Sequence, residues 1–369
     1  MAGAEKTNGG SCCASESASA SAGCRCPQNE VSGYINTKAG LIAKTSAQLY
    51  RNDYWGEIKS RLSAFRNNYA VVAGLYAVGE PSEDSDVFVS ANYKLSFDKL
   101  RSALAGISAW ILVLDTKGVN VWCAAGKGTF STEELIKKIS ETNIDLVVRH
   151  KKLIVPQLGA VGISAYKVLK ATGFRVLFGP VYAADIVAYV NNGYKATAQM
   201  RTIRFNITDR LVLTPMEMLP ILKWYPVYAA AVLIFFGVHG TGIVFRDAFY
   251  GGAPFLFFGL VSVFAGAFMT PVLLPFIPFR AFSLKGWMVG LMAVFLAIQS
   301  FSALPVSLKV FVYLFFPAVS SFAALQFTGS TTFTGMSGVK KELKYAVFAY
   351  VIIGVASLIS LIIYKSGVL

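Results

Sequence analysis

Between residues 31 and 215 the apolar positions fall into short runs separated by amphipathic stretches. Residues 87–90 (Val-Phe-Val-Ser) read as a strand. A helix over 96–105 follows, with Ser96 as N-cap and Asp98 in its first turn. Residues 110–115 (Trp-Ile-Leu-Val-Leu-Asp) read as a buried strand. Ser131-Thr-Glu-Glu134 is a capping box that opens a helix to about 140. Residues 153–157 predict a strand, 159–171 a helix, 175–178 a strand with a helix through 189, and 210–213 a last strand. Strands alternating with helices of about 10–15 residues predict a parallel, Rossmann-like α/β sheet with helices on both faces. Ligands of such folds bind beyond the carboxyl ends of the strands.

The pattern changes near residue 224. Five stretches, 225–245, 255–275, 287–304, 310–327 and 345–364, contain no Asp, Glu, Lys or Arg. Each is close to the roughly 20 apolar residues needed to cross a bilayer. The expected organisation is a Cys/Ser/Ala-rich disordered tail (1–30), an α/β domain (31–223) and an all-α, five-helix transmembrane domain (224–369). The loops after the second and fourth spans carry Arg280, Lys285, Lys340, Lys341 and Lys344; the opposite side carries Arg246, Lys309 and Lys365. The positive-inside rule then puts the α/β domain in the cytoplasm and the C-terminus outside, in a cell (inner) membrane. The early chain has no apolar core segment, so no cleavable signal peptide is expected.

Composition narrows the classes. Apolar residues make up 55% and charged residues 15%, which excludes a disordered chain. The net charge of +14 on so apolar a chain fits lipid contact and argues against nucleic acid as a partner. Five cysteines in 369 residues are too sparse for a disulfide-stapled domain. Cys12, Cys13, Cys24 and Cys26 match neither a zinc ribbon nor an iron–sulfur run, although paired thiols bind soft metals. His239 is the only ionisable side chain expected within the membrane, as a packed or interfacial histidine with a backbone partner. The Ser/Thr/Gly-rich run 328–338 is either a linker or a polar docking surface for the α/β domain.

No G-x-G-x-x-G follows the first strand, and there is no P-loop and no G-x-S-x-G. With His150 and His239 the only histidines, a His-ligated metal or a Ser-His-Asp triad has almost no support. The segment 117–128 lies directly between a strand and a helix and holds Cys123, the one cysteine after the tail. Small residues around it would let a flat ligand approach the backbone. If the segment is helical, Lys127 shares a face with Cys123 and favours its thiolate. The plain alternative is a buried structural cysteine.

Asn120-Val-Trp-Cys-Ala-Ala-Gly-Lys127 resembles the cap-helix motif N-(V/I)-W-C-A-(A/G)-G-K of the mercury-methylating corrinoid proteins, the membrane-bound members of the mercury methylation pair. The resemblance extends through 74–79, 91–96, 327–338 and the five-span tail, covering roughly 31–369. The α/β part is also similar to the corrinoid domain of the corrinoid iron–sulfur protein large subunit of acetyl-CoA synthesis. That relative carries a four-cysteine cluster run that this chain lacks, so no iron–sulfur cluster of its own is expected.

The resemblance implies a cobalamin-type corrinoid cofactor with Cys123 as catalytic residue and lower axial ligand of cobalt. It places corrinoid contacts at Ser90, Ser96, Asn120, Val121, Trp122, Cys123, Ala124, Ala125, Gly126, Lys127 and Ala183, with Asn120 and Lys127 orienting and tuning the sulfur. The Asp-x-His-x-x-Gly motif of other corrinoid domains is absent, which argues against a histidine ligand. The implied activity is transfer of a methyl group from the corrinoid to Hg(II), forming methylmercury, in an anaerobic setting. A ferredoxin with two [4Fe–4S] clusters would return electrons, and a methyl-folate type donor would supply the methyl group. Two other readings stay open: a corrinoid methyl carrier of one-carbon metabolism with another acceptor, and a membrane transporter or thiol sensor with a regulatory α/β domain.

Overall fold

The computed structural model describes residues 31–62, 64–239, 242–331 and 336–367. The four-cysteine tail and residues 332–335 of the Ser/Thr/Gly run lie outside the described residues.

A hairpin of β1 (Val31–Thr37) and β2 (Gly40–Thr45) opens the chain. Gly40 closes its turn at φ +106°, a conformation that favours glycine. Then come α1 (Arg51–Leu62), β3 (Gly74–Val78), β4 (Val87–Ala91), α2 (Lys94–Ala103), β5 (Ala109–Leu114), α3 (Val121–Lys127) and α4 (Thr132–Glu141). β6 (Lys152–Val155), α5 (Ala165–Thr172), β7 (Arg175–Phe178) and α6 (Ile186–Asn191) complete the domain. The strands form one sheet in the order β1-β2-β3-β5-β4-β6-β7.

The sheet is mixed, not wholly parallel as expected: β4, β5, β6 and β7 run parallel, while β3 is antiparallel to β5 and β1 to β2. The reversal comes from the 31–78 segment. Its hairpin strands are half exposed and lack the continuous apolar run that marks β4 and β5. Side chains alternate between the faces of the sheet with period two. Val87, Val89, Trp110, Leu112 and Leu114 face a core closed by α3, α4 and α5. Phe88, Ile111 and Val113 face a second core with Phe97 and Leu100 of α2 and Ile186 and Tyr189 of α6.

Three helix expectations are corrected. The α2 helix begins at Lys94 after Tyr93, so Ser96 is a helical residue and not the N-cap. The helix expected over 159–171 begins only at Ala165, where the Ser164 side chain accepts the Lys167 N–H; Gly159 and Gly162 instead pack a loop tightly over Phe130. Residues 210–213 are not a strand. They lie in α7 (Ile207–Leu222), started by a capping box in which Asn206 and Asp209 exchange bonds with each other's backbone. That reciprocal cap overrides the strand preference of Leu-Val-Leu.

The helical region continues with α8 (Tyr225–Gly237), a two-strand hairpin of β8 (Val238–His239) and β9 (Gly242–Ile243), and α9 (Phe245–Phe264). α9 passes through a π-helical turn at Ala265–Met269 into α10 (Thr270–Val272). α11 (Phe282–Ile298), α12 (Val306–Gln326) and α13 (Met336–Ser366) follow. Among the described residues, four helices are long and apolar enough to cross a membrane: Phe245–Val272, Phe282–Phe301, Val306–Gly329 and Ser337–Ser366. The α7–α8 pair qualifies only as one span bent by 43°. The first expected span, 225–245, is therefore not one straight helix. Pro226 has no N–H to continue the ladder across residues 223–225, and the helix stops at Gly237. His239 sits in the hairpin, 40% exposed and 3.3 Å from the Asp247 carboxylate.

Small residues set the helix packing. A Cβ on Gly286 would stand 2.8 Å from the Ser320 carbonyl, and one on Gly290 2.7 Å from the Ser320 hydroxyl. The Ser320 hydroxyl donates to the Gly286 carbonyl at 2.9 Å. Close approach of this kind is how Gly-x-x-x-Gly faces join helices where lipid offers no hydrophobic drive. At the break after α10, the buried Arg210 guanidinium donates to the carbonyls of Pro271 and Val272 (3.2 and 2.9 Å). Lys285 donates to that of Leu274 at 2.8 Å. Phe205 joins Leu274, Phe282 and Phe327 in an apolar plug between the two halves.

Gly286→Val is expected to separate α11 from α12 and to destabilise the helical region by about 3 kcal/mol. Thermal unfolding of the detergent-solubilised full chain, followed by circular dichroism, measures the loss.

Candidate functional site

The carboxyl ends of β4 and β5 are organised by Asn92, a buried residue just after β4. Its Oδ1 accepts from the N–H of Thr116 (3.1 Å), the hydroxyl of Thr116 (2.8 Å) and the N–H of Gly118 (2.9 Å). Its Nδ2 donates to Asp115 Oδ1 at 3.0 Å, and that oxygen also accepts the Lys117 N–H. The β5–α3 connection is thereby held with Lys117 at φ +56° and Gly118 at φ +71°. A non-glycine residue in that region persists only where surrounding contacts demand it.

This connection delivers α3. The Asn120 side chain caps the helix by accepting the Cys123 N–H at 2.9 Å, and Gly128 ends it in the left-handed region. Cys123 is a free, half-buried thiol. Ala124 and Ala125 are buried in the core on that face of the sheet, where their small size serves packing. Gly126 and Lys127 are exposed, and a Cβ on Gly126 would meet no atom within 4 Å.

Beside α3, at the carboxyl ends of β4, β6 and β7, lies a cavity of about 660 Å³. Ser90, Ser96, Asn120, Val121, Trp122 and Ala183 all line it. Cys123, Ala124, Ala125, Gly126 and Lys127 are not among its lining residues; Cys123 begins one residue past the wall. Ser90 is almost wholly buried, while Trp122 is 40% exposed and offers an aromatic face. Most of the wall is apolar, and the only cations on it are Arg61 and Lys99. Sequence reasoning missed Tyr93 and the strip Pro156, Leu158, Gly179–Tyr182. The signal for the strip was the apolar, Gly/Pro-bearing stretch after each of two strands.

The outer side of α2 is clamped by four charges, of which Lys94, Asp98 and Arg101 are buried and Asp53 is partly exposed. Lys94 Nζ lies 2.9 Å from Asp53 and 2.7 Å from Asp98; Arg101 lies 2.8 Å from Asp53 and 2.7 Å from Asp98. Arg101 also donates to the carbonyls of Ser46 and Gln48. Burial pushes the Asp53 carboxyl up, but the Lys94 hydrogen bond, the Tyr50 N–H and the charges of Lys94 and Arg101 outweigh it and hold the group below its ordinary range. The network fixes α2 so that Ser96 and Lys99 face the cavity.

Residues 65–190 match the family described as CO dehydrogenase/acetyl-CoA synthase delta subunit. The chain is 32% identical over 131 residues to the acetyl-CoA decarbonylase/synthase complex subunit gamma of Archaeoglobus fulgidus, covering 35% of this chain and 27% of the relative. It is 35% identical over 131 residues to that of Methanocaldococcus jannaschii, covering 35% and 26%. It is 30% identical over 117 residues to the corrinoid/iron–sulfur protein large subunit of Moorella thermoacetica, covering 31% and 26%. The chain thus spans about a quarter of the length of these relatives. The matched segment is similar to a domain of corrinoid proteins, and it contains every residue of the cavity wall except Arg61.

Asn92→Ala leaves the N–H groups of Thr116 and Gly118 without their acceptor and is expected to cost about 3 kcal/mol. Limited proteolysis should then cut at 115–120, which the wild type resists. Stability contributed by Asp53 is complete above its ordinary value of 3.8 and is lost as pH falls through the lowered value in the folded protein. Asp53→Asn should therefore lower stability at pH 7 by about 3 kcal/mol and flatten the acid limb below pH 4. Unfolding midpoints measured from pH 7 to pH 2 give both results.

Proposed function

We propose that this protein is a corrinoid-dependent methyltransferase that passes a methyl group to Hg(II) and forms methylmercury, with Cys123 as the lower axial ligand of cobalt. The observation that carries the reading is the place of the Asn120–Lys127 motif: a capped helix with one free thiol, bordering the cavity at the strand ends. The similarity of residues 65–190 to corrinoid proteins supports the cofactor class.

A bound corrinoid supplies a cobalt centre that carries a methyl group between donor and acceptor. Ser90 and Ser96 would offer hydroxyls to its polar edge, and Val121, Trp122 and Ala183 an apolar wall. Asn120 spends its oxygen on the Cys123 N–H, which orients the residue and leaves the sulfur available to a metal. Cys123 would bind as thiolate, a softer and stronger donor than an imidazole. The Cys123 sulfur would hold the cobalt and supply it with the electron density that methyl transfer to a soft electrophile such as Hg(II) requires. Lys127 lies one turn on from Cys123 and is exposed. A ferredoxin with two [4Fe–4S] clusters as electron donor and a methyl-folate type donor belong to the same proposal.

The long apolar helices support a place in the cell membrane. Arg280, Lys340, Lys341 and Lys344 follow helices that return towards the α/β domain, which supports a cytoplasmic domain and an outer C-terminus. A second reading, a methyl carrier with a carbon or thiol acceptor, is favoured by the relatives' names as subunits of acetyl-CoA decarbonylase/synthase complexes.

Cys123→Ala in the full chain is expected to lower methylmercury formation at least about 100-fold while membrane insertion persists. Cobalt X-ray absorption of the loaded protein should show a sulfur scatterer that the variant lacks. Methylation of Hg(II) at the normal rate by the variant would overturn the role of Cys123. Faster transfer to a thiol or carbon acceptor than to Hg(II) by the purified wild type would favour the second reading.

A further inference from the structure

A second cavity, of about 1040 Å³, opens between α11 and α13. Arg280, Ser283, Trp287, Lys341, Tyr345 and Tyr350 are on its wall. It lies at the end of the helical region that faces the α/β domain, because α11 and α13 both start there. We propose that this groove binds an anionic phospholipid, its phosphate between Arg280 and Lys341 and its acyl chains along α13.

The charge balance selects an anion. One acid, Glu342, shares the wall, and its carboxylate is already engaged: it accepts the Ser283 N–H at 2.6 Å and the Ser283 hydroxyl at 2.8 Å, at the start of α11. That is a favourable place for a negative charge, at the positive end of a helix. Arg280 and Lys341 are exposed, and among the described residues neither has an ion-pair partner. The polar floor is satisfied from within. Tyr350 and Ser321 share a hydrogen bond of 2.8 Å, and Ser321 lies 2.7 Å from the Ser283 carbonyl. Two cations are left to receive a ligand.

The apolar part selects an amphiphile over a free phosphate. Ala346, Ala349 and Ile353 continue the floor along α13. Only 17% of the apolar window of α13 is buried, against 33–61% for the other three long spans. Its outer residues Phe348, Ile352, Val355 and Ile359 are exposed, so the groove runs directly into a surface made for hydrocarbon. Trp287 and Tyr345 sit beside the cations, where aromatic side chains mark the boundary between headgroup and chain. Basic pockets between membrane helices hold anionic headgroups by this combination.

The test uses the purified full chain in neutral detergent, titrated with phosphatidylglycerol or phosphatidylcholine and read by native mass spectrometry. Wild type is expected to prefer phosphatidylglycerol, and Arg280→Gln with Lys341→Gln to weaken that lipid about tenfold. Lys340→Gln with Lys344→Gln removes the same charge outside the groove and should leave binding unchanged. Equal loss in both double variants, or no loss in the first, would overturn the site. Displacement of the lipid by equimolar inorganic phosphate would make it a free-anion site and overturn the lipid assignment. Chain-brominated phosphatidylglycerol should quench wild-type tryptophan fluorescence more than that of Trp287→Phe, which keeps both cations. Equal quenching would also overturn the proposal.

Discussion

The side-chain oxygen of Asn92 holds together the α3 side of the candidate site. Three donors from the 116–118 segment converge on it, and its amide nitrogen secures Asp115. A connection with two consecutive residues at positive φ would not hold its shape on backbone preference alone. Because it holds, α3 begins at a fixed point past β5, and the Asn120 cap, the Trp122 ring and the Cys123 thiol take fixed places at the strand ends. Buried amide networks of this kind are costly when half satisfied and specifying when complete.

The opposite wall is fixed by charge instead. Lys94, Asp98, Arg101 and Asp53 form a closed, mostly buried set in which every ion meets two partners of the other sign. Desolvation makes such a set a poor source of net stability, but removal of one member is expensive, so the set acts as a register. It ties α2 to α1 and the β2–α1 loop while the other face of α2 lines the cavity. One wall is thus set by hydrogen bonds to a loop and the other by ion pairs to a helix.

The cavity wall is also linked through contacts to the long apolar helices. Tyr182 lines it, and its hydroxyl accepts the Arg204 N–H at 3.0 Å. The next residue, Phe205, packs with Leu274, Phe282 and Phe327 at the domain-facing ends of the long helices. A tilt of those helices therefore has a short covalent and packed route to the wall at 179–183.

The apolar runs by themselves determined a great deal. Val87–Ala91 and Ala109–Leu114 could only be buried strands, and four of the five long charge-free stretches became long apolar helices, because runs of that length cannot be solvated. The Asn-Val-Trp-Cys motif was legible as a segment between strand and helix, but its own helix stayed conditional until the Asn120 cap and the Gly128 terminator were in place. Tertiary structure alone decided the rest. Strand direction in the β1–β3 segment depends on partners distant in sequence, and half-exposed hairpin strands carry no strong pattern. Residues 210–213 are the exception, since the cap at Asn206 that made them helix is a local signal that the strand reading overlooked. Ala124 and Ala125 turned inward because the core of α3, α4 and α5 needed their volume. The importance of Asn92 is invisible in sequence: an asparagine reads as turn chemistry until the fold brings three donors to one oxygen.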